Sequence, residues 1–462
     1  ATENDPFCNA VPSFPPRRSG LYPESLSHDS ALCESLRSMP DAKDLLDPFT
    51  RVVEKGGRLS AAPLIEVYGE TMKAVARELR AAAAAQGRGE EALSAYLLAA
   101  AGGFETGDWP AADEAWSRMN GRNSRWYLRI APDETQFDPC QEKAGFHVSF
   151  ARIDPASLAW QDKLTPLRQE MEDSLSSLIG PAYPARKVSF SLPDFIEIVL
   201  NSGDSRHGLG AVIGQSLPNW GKVAEEGRRR TVVMTNLYED PDSKKTAREK
   251  AAWMLDAASL AYYPQDKEPG LVSTILHEAA HNLGPHGDYR VEGRTPSDIF
   301  GGRVEGVLEE LKAQTAALWY LDFLLKKGLL TQDQVRRAYA HDIVWCLGHI
   351  ANGMTTDTGS PKPYSQLSAV QIGTFLRSGA LRWSAGEDGV ERLRVDFDRL
   401  PAAVEGLMRE VGRIKASGDA EAAKALLSDF VTGEGSRLVR MKDVQDRLRR
   451  FPKEAYSYTV LY

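Results

Sequence analysis

Cysteine is scarce. There are four in 462 residues, too few for a fold built on disulfides. An excess of basic charge is also missing: 56 Lys and Arg face 64 Asp and Glu, a net charge of −8. That argues against nucleic acid as a main partner, because phosphate binding wants a basic surface. The run Arg228-Arg229-Arg230 is too short to change this. No apolar stretch approaches the roughly 18–20 residues that span a bilayer. The longest candidate, Ala92–Phe104, is Ala-rich, is broken by Gly102-Gly103 and reads as a buried helix. There is no internal repeat. The glycines of NSGDSRHGLGAVIG lack the strand-to-helix G-x-G-x-x-G frame of a phosphate cradle. What is left, 42% hydrophobic and 26% charged residues, is ordinary for a soluble globular chain of two or three domains.

The texture changes along the chain. Residues 1–45 read as an extended, loop-rich N-terminal arm (VPSFPPRRSG). Cys8 and Cys33 flank this Pro-rich segment, where a bridge would pin it; Cys140 and Cys346 read as bridged or simply buried. A start at Ala1 and a Pro-, Ser- and Asp-rich beginning suggest an exported chain, periplasmic or in the cell envelope, with the cytoplasm as the alternative. Residues 46–242 read as a mixed α/β lobe. Apolar spacing predicts helix from about Asp41 to Ala101, strands in SRWYLRIAP and AGFHVSFARI, helix over 155–180, and a strand at Arg230–Asn236. Residues 243–454 read as a helical lobe with loops at 285–300 and 351–365. The last residues, 455–462 (AYSYTVLY within 455–462), alternate like a strand that returns to the mixed lobe.

Chemistry concentrates in LVSTILHEAAHNLG, which contains H-E-x-x-H as His277, Glu278 and His281. Helix positions four apart share a face, so both imidazoles can serve one tetrahedral zinc ion while Glu278 stands ready to take a proton from water. Chance produces roughly one such match per hundred chains of this length, so a third ligand is needed. The next helix, predicted over 303–327, offers Glu305, Glu309 and Glu310.

H-E-A-A-H-N-L-G-P followed by E-E-L-K-A-Q resembles the paired motifs of the dipeptidyl peptidase III (M49) metallopeptidases, in particular their short bacterial branch. SLPNWGKVAEEGRRRTVVMTN and the segment from Glu134 to Pro139 are similar to further blocks of that family, so the resemblance spans roughly residues 95–380. It implies an α+β, mainly helical fold of two lobes around a wide cleft, one carrying zinc and one containing a small β-barrel. It implies Glu310 as the third metal ligand, Glu309 as a partner of a ligating histidine, and Glu134 and Asn219 as residues that hold the amino-terminal end of a peptide. The sequence departs from the family pattern at four places. Gln136 stands where a tyrosine would face the developing oxyanion, Ser216 replaces an asparagine, Gln314 replaces the last glutamate of the second motif, and Tyr364 falls where a histidine is expected. Tyr364 is an electrophilic donor or an ordinary loop tyrosine; His349 is the other candidate, and His286 is assigned a loop role. The expectation is a monomeric zinc metallopeptidase acting on peptides near their amino terminus. The alternatives are a zinc-binding homologue that holds a peptide or protein without cleaving it, and a zinc hydrolase of a non-peptide substrate.

Overall fold

Strands Thr50–Lys55 (β1) and Arg58–Pro63 (β2) form an antiparallel hairpin closed by Gly56-Gly57, both at positive φ (58° and 76°), as a two-residue hairpin turn requires. The helical periodicity expected from Asp41 to Ala101 is interrupted here: TRVVEK-GG-RLSAAP alternates and carries its own turn. The computed structural model describes residues 19–26, 31–134, 138, 140, 142–203, 214–356 and 359–452. The expected strand within 455–462, residues 1–18 with Cys8, and Gln136 lie outside these.

The chain divides into two units, the first comprising Ala1–Leu158, Pro193–Leu237 and Ala455–Tyr462, the second Ala159–Leu192 and Tyr238–Glu454. In the first, Trp126–Glu134 (β3), Ala144–Ile153 (β4), Asp194–Gly203 (β5), Gly214–Leu217 (β6) and Arg230–Met234 (β7) make a sheet of order β3-β4-β5-β7-β6. Only the β5–β7 pair is parallel. The order leaves β3 and β6 as edges among the described residues, and no closed barrel is formed by them. An edge strand needs cover. On β3, Tyr96 takes and gives a hydrogen bond at the Ile130 backbone (2.9 and 3.0 Å), and the Trp116 indole donates to Leu128 O at 2.8 Å. These aromatics come from the helices Glu91–Thr106 and Pro110–Arg118, whose apolar faces build the core with Tyr127, Ile196, Ile198 and Met234.

Residues 19–26 and 31–45 are less extended than the sequence suggests. Leu32–Arg37 and Ala42–Leu45 are short helices, and Tyr22, Leu32, Leu36 and Leu45 pack with Val52 and Cys140 in a small core. Cys33 is bridged to Cys140, 107 residues on, so the expected partnership with Cys8 gives way to a crosslink between this segment and the chain beyond β3. Cys346 is free and buried.

Among its described residues the second unit is helical apart from one hairpin, Leu381–Ala385 (β8) with Glu391–Val395 (β9), inside a region expected to be almost wholly helical. Its axis is the long helix Gly302–Lys326, buried on every side through Val307, Leu311, Ala316, Tyr320 and Leu324, the signature of a core helix. Around it lie the motif helix Glu268–His281 and the helices Gln332–Ala351, Pro363–Arg377 and Leu400–Ser417. The stretch expected as a loop before the long helix contains the short helix Pro296–Phe300, opened by a Thr295–Asp298 capping box. No helix among the described residues is long and apolar enough to cross a membrane.

Candidate metal centre

The motif helix buries Leu271, Ile275, Leu276 and Ala280, which fixes the face that carries His277 and His281. The chain then turns at Gly284, where φ is +66° and a Cβ would lie 2.7 Å from Leu175 Cδ2, so only glycine fits without strain. Glu172 and Tyr183 lock this turn: Gly284 N donates to Glu172 Oε2 and the Tyr183 hydroxyl donates to Gly284 O, each at 2.8 Å.

On this base His277 Nε2 and His281 Nε2 approach to 3.1 Å, and Glu310 Oε2 from the long helix lies 3.2 Å from the first and 3.7 Å from the second. A tetrahedral zinc with bonds of 2.0–2.1 Å separates its ligand atoms by about 3.3–3.4 Å, a spacing these three distances bracket. Glu310 Oε2 is buried and has no hydrogen-bond partner, which a cation would supply. His277, His281 and Glu310 are a group that could hold a metal ion. The local field agrees. Burial opposes a charge on His277, yet Glu310, Glu278 and the Gln314 amide outweigh it and raise its pKa. Burial raises Glu310, but His277, His281 and a hydrogen bond from Tyr364 hold it below the ordinary carboxylate value.

Each imidazole has a partner at Nδ1. His281 Nδ1 meets Glu309 Oε1 at 2.9 Å. Glu309 is gripped by two buried lysines, Lys312 Nζ at 2.9 Å and Lys415 Nζ at 2.9 Å. Burial would raise its pKa, but Lys312, His281 and Lys415 bring it well below the usual value. Lys312 also donates to the carbonyls of Ala280 and Leu283 at the end of the motif helix. His277 Nδ1 meets Gln314 Oε1 at 2.8 Å, and Gln314 Nε2 donates to Asp342 Oδ1 at 2.5 Å. Asp342 is fully buried and its pKa is pushed up to about 7 by burial.

Among the other expected residues, Glu278 is half-buried on the motif helix, and its charge reaches both His277 and Tyr364. Tyr364 opens the helix Pro363–Arg377; its ring lies 6.4 Å from that of His277, and burial followed by Glu310 raises its pKa. His349 packs against Tyr364 and Trp345, with ring centroids 5.4 and 4.3 Å away. His286 accepts from Asp288 N in its own loop, and burial depresses its pKa to about 4. Glu305 is paired with Lys415 at 3.2 Å.

Two solved structures share this fold: "DPP III from Caldithrix abyssi", with TM-score 0.78 and 25% identity over 94% of this chain and 79% of that one, and "dipeptidyl-peptidase III from Corallococcus sp. strain EGB", with TM-score 0.64 and 25% identity over 97% and 80%. The chain is a relative of dipeptidyl peptidase III. Its mainly helical α+β architecture is the one seen in those peptidases. A curated protein, Nudix hydrolase 3 of Arabidopsis thaliana, is 26% identical over 88% of this chain, and the chain spans about half (50%) of that relative's length. No family model matches.

The residues assigned to the peptide's amino end lie in the first unit. Glu134 and Asn219 form a reciprocal pair: Glu134 N donates to Asn219 Oδ1 at 2.8 Å, and Asn219 Nδ2 donates to Glu134 Oε2 at 3.1 Å. Ser216, exposed on β6, accepts from Thr231 Oγ1 at 3.1 Å. Sequence reading missed Asp342, Lys312 and Lys415. Asp342 carried a signal, a lone carboxylate within the apolar face of AHDIVWCLGHI. The lysines carried none, since a lysine on an amphipathic helix is almost always in water.

Proposed function

We propose that this protein is a zinc-dependent peptidase acting on peptides near their amino terminus. The observation that carries the reading is the convergence of His277, His281 and Glu310 next to Glu278, in a chain with the dipeptidyl peptidase III fold. One zinc ion, when bound, supplies a Lewis acid that polarises a carbonyl and acidifies water. Glu278 takes the proton from the attacking water and returns it to the leaving amine. Tyr364 donates a hydrogen bond to the oxygen on which negative charge develops. The carboxylate of Glu134, oriented by Asn219, pairs with the free α-amino group of the substrate, and Ser216 gives a short polar contact nearby. Export to an oxidising compartment goes with this reading; the Cys33–Cys140 bridge supports it.

The test is turnover of a dipeptidyl-arylamide panel by zinc-loaded protein. Glu278→Gln should lose roughly 10²–10⁴-fold in kcat while keeping its metal through dialysis. Glu310→Ala should lose the metal itself. Equal zinc loss in both variants would overturn the roles given to these carboxylates. The likeness to Nudix hydrolase 3 favours a second reading, hydrolysis of a non-peptide substrate at the same centre. Cleavage of a nucleoside diphosphate panel, with none of the arylamides, would replace the peptidase reading.

A further inference from the structure

The His277 side of the metal group has an amide where a carboxylate would be the simplest support. An amide is ambiguous, because one end donates and the other accepts. If the Gln314 NH₂ faced His277, the imidazole would have to accept at Nδ1 and carry its proton on Nε2. That proton would point at the spot where His281 Nε2 and Glu310 Oε2 converge, 3.1 and 3.2 Å from His277 Nε2. Such a histidine cannot ligate a metal. Nothing in Gln314 itself forbids this orientation.

Asp342 forbids it. Its Oδ1 lies 2.5 Å from Gln314 Nε2, and an ionised carboxylate can only accept. With the amide reversed, Gln314 Oε1 would be pressed against that carboxylate, oxygen to oxygen, at a buried site. The other carboxylate oxygen, Oδ2, is 3.8 Å from the Cys346 thiol, itself 3.2 Å from Gln371 Oε1, and Gln371 Nε2 donates to Thr315 Oγ1 at 3.0 Å. Asp342 is 2% exposed, Cys346 and Gln371 0%, so no water competes for these contacts.

We propose that Asp342 is a positioning residue for the metal centre: by fixing the Gln314 amide it holds the proton of His277 on Nδ1 and leaves the Nε2 lone pair free for zinc. Asp342 and Gln314 together do what a single carboxylate does for His281. The proposal rests on the zinc reading above, and it concerns affinity for the metal, whatever the substrate.

The experiment is zinc competition with a chromophoric chelator at about pH 8, above the range in which Asp342 takes up a proton, with the melting temperature of the metal-free protein recorded alongside. Asp342→Asn can present either end of its own amide, so Gln314 is no longer fixed. Zinc affinity should fall roughly 10–100-fold with little loss of metal-free stability. Gln314→Glu/Asp342→Asn moves the carboxylate onto His277 directly and should return affinity to within about fivefold of the parent. Parental affinity in Asp342→Asn, or a double variant that stays as weak as the single one, overturns the proposal. Should Asp342→Asn fail to fold, the double variant decides alone: recovery to within about fivefold supports the role, anything weaker overturns it. A parent protein that binds no zinc would instead remove the zinc reading, a separate failure.

Discussion

The two imidazoles of the metal group are held from behind by unlike means. His281 leans on Glu309, whose charge is fixed by Lys312 and Lys415, ammonium groups 0% and 1% exposed at the side chain. His277 leans on a neutral amide backed by a carboxylate that burial has raised to about 7. One support is an ion network in which every charge is answered. The other is a relay of hydrogen bonds whose terminal charge has no cation beside it. The first ties the metal centre to the stability of the helical unit, since Lys312 also binds the end of the motif helix. The second acts on ligand geometry, and its energetic weight lies in the buried carboxylate of Asp342, which the Gln314 amide and the Cys346 thiol answer with hydrogen bonds alone.

The largest expected effect breaks the first support. Glu309→Ala leaves two buried ammonium groups with Glu305 alone, and should cost about 3–5 kcal/mol in urea unfolding of the metal-free protein. A loss below about 1 kcal/mol would mean that the lysines are not anchored as described, and the contrast would fail. Next comes pH. The folded pKa of Asp342 lies above its ordinary value of 3.8, so its contribution is complete below about pH 4 and is lost as the pH rises through about 7. Glu309, held well below 4.5, contributes in full above that value and loses its contribution as the pH falls. Asp342→Asn should therefore gain on the parent between about pH 4 and 7, by on the order of 4 kcal/mol, in denaturation curves of the metal-free protein. A constant difference across that window would show that Asp342 titrates normally.

Lys415→Met sharpens the comparison from within the ion network. Glu309 keeps Lys312, so the cost should fall to about 2 kcal/mol, and the stability loss should be accompanied by weaker zinc binding. The smallest effect is a control outside both supports. Gly284→Ala strains the turn after the motif helix and should destabilise by about 1 kcal/mol, read as a lower melting temperature, with zinc affinity unchanged.

The metal group was legible because its determinants are local. H-E-x-x-H sets two candidate ligands by helix geometry alone, and the long helix announces itself through apolar residues at helical spacing, Val304, Val307, Leu308 and Leu311, that bring Glu310 with them. The choice of Glu310 over Glu305 and Glu309 needed family resemblance, since three carboxylates on one helix look alike until a partner is known. Asp342 and Lys415 lie 28 and 101 residues beyond Gln314 and reach the site only through tertiary packing, which no periodicity encodes. The hairpins β1–β2 and β8–β9 were overlooked for another reason. Each is short and set among helices, so a window wide enough to show a 3.6-residue period averages it away. Cys33 has Cys140 as its partner for the same tertiary reason: proximity in sequence to Cys8 says nothing about proximity in space.

The bridge between Cys33 and Cys140 encloses β1, β2, β3 and the helices Leu64–Ala84, Glu91–Thr106 and Pro110–Arg118 in one covalent ring. A protease that nicks the backbone anywhere on that ring, for instance at the exposed tip around Gly56-Gly57, cuts the chain without releasing a fragment. The clipped protein would migrate as a single species on a gel without reductant and separate into two pieces once thiol is added.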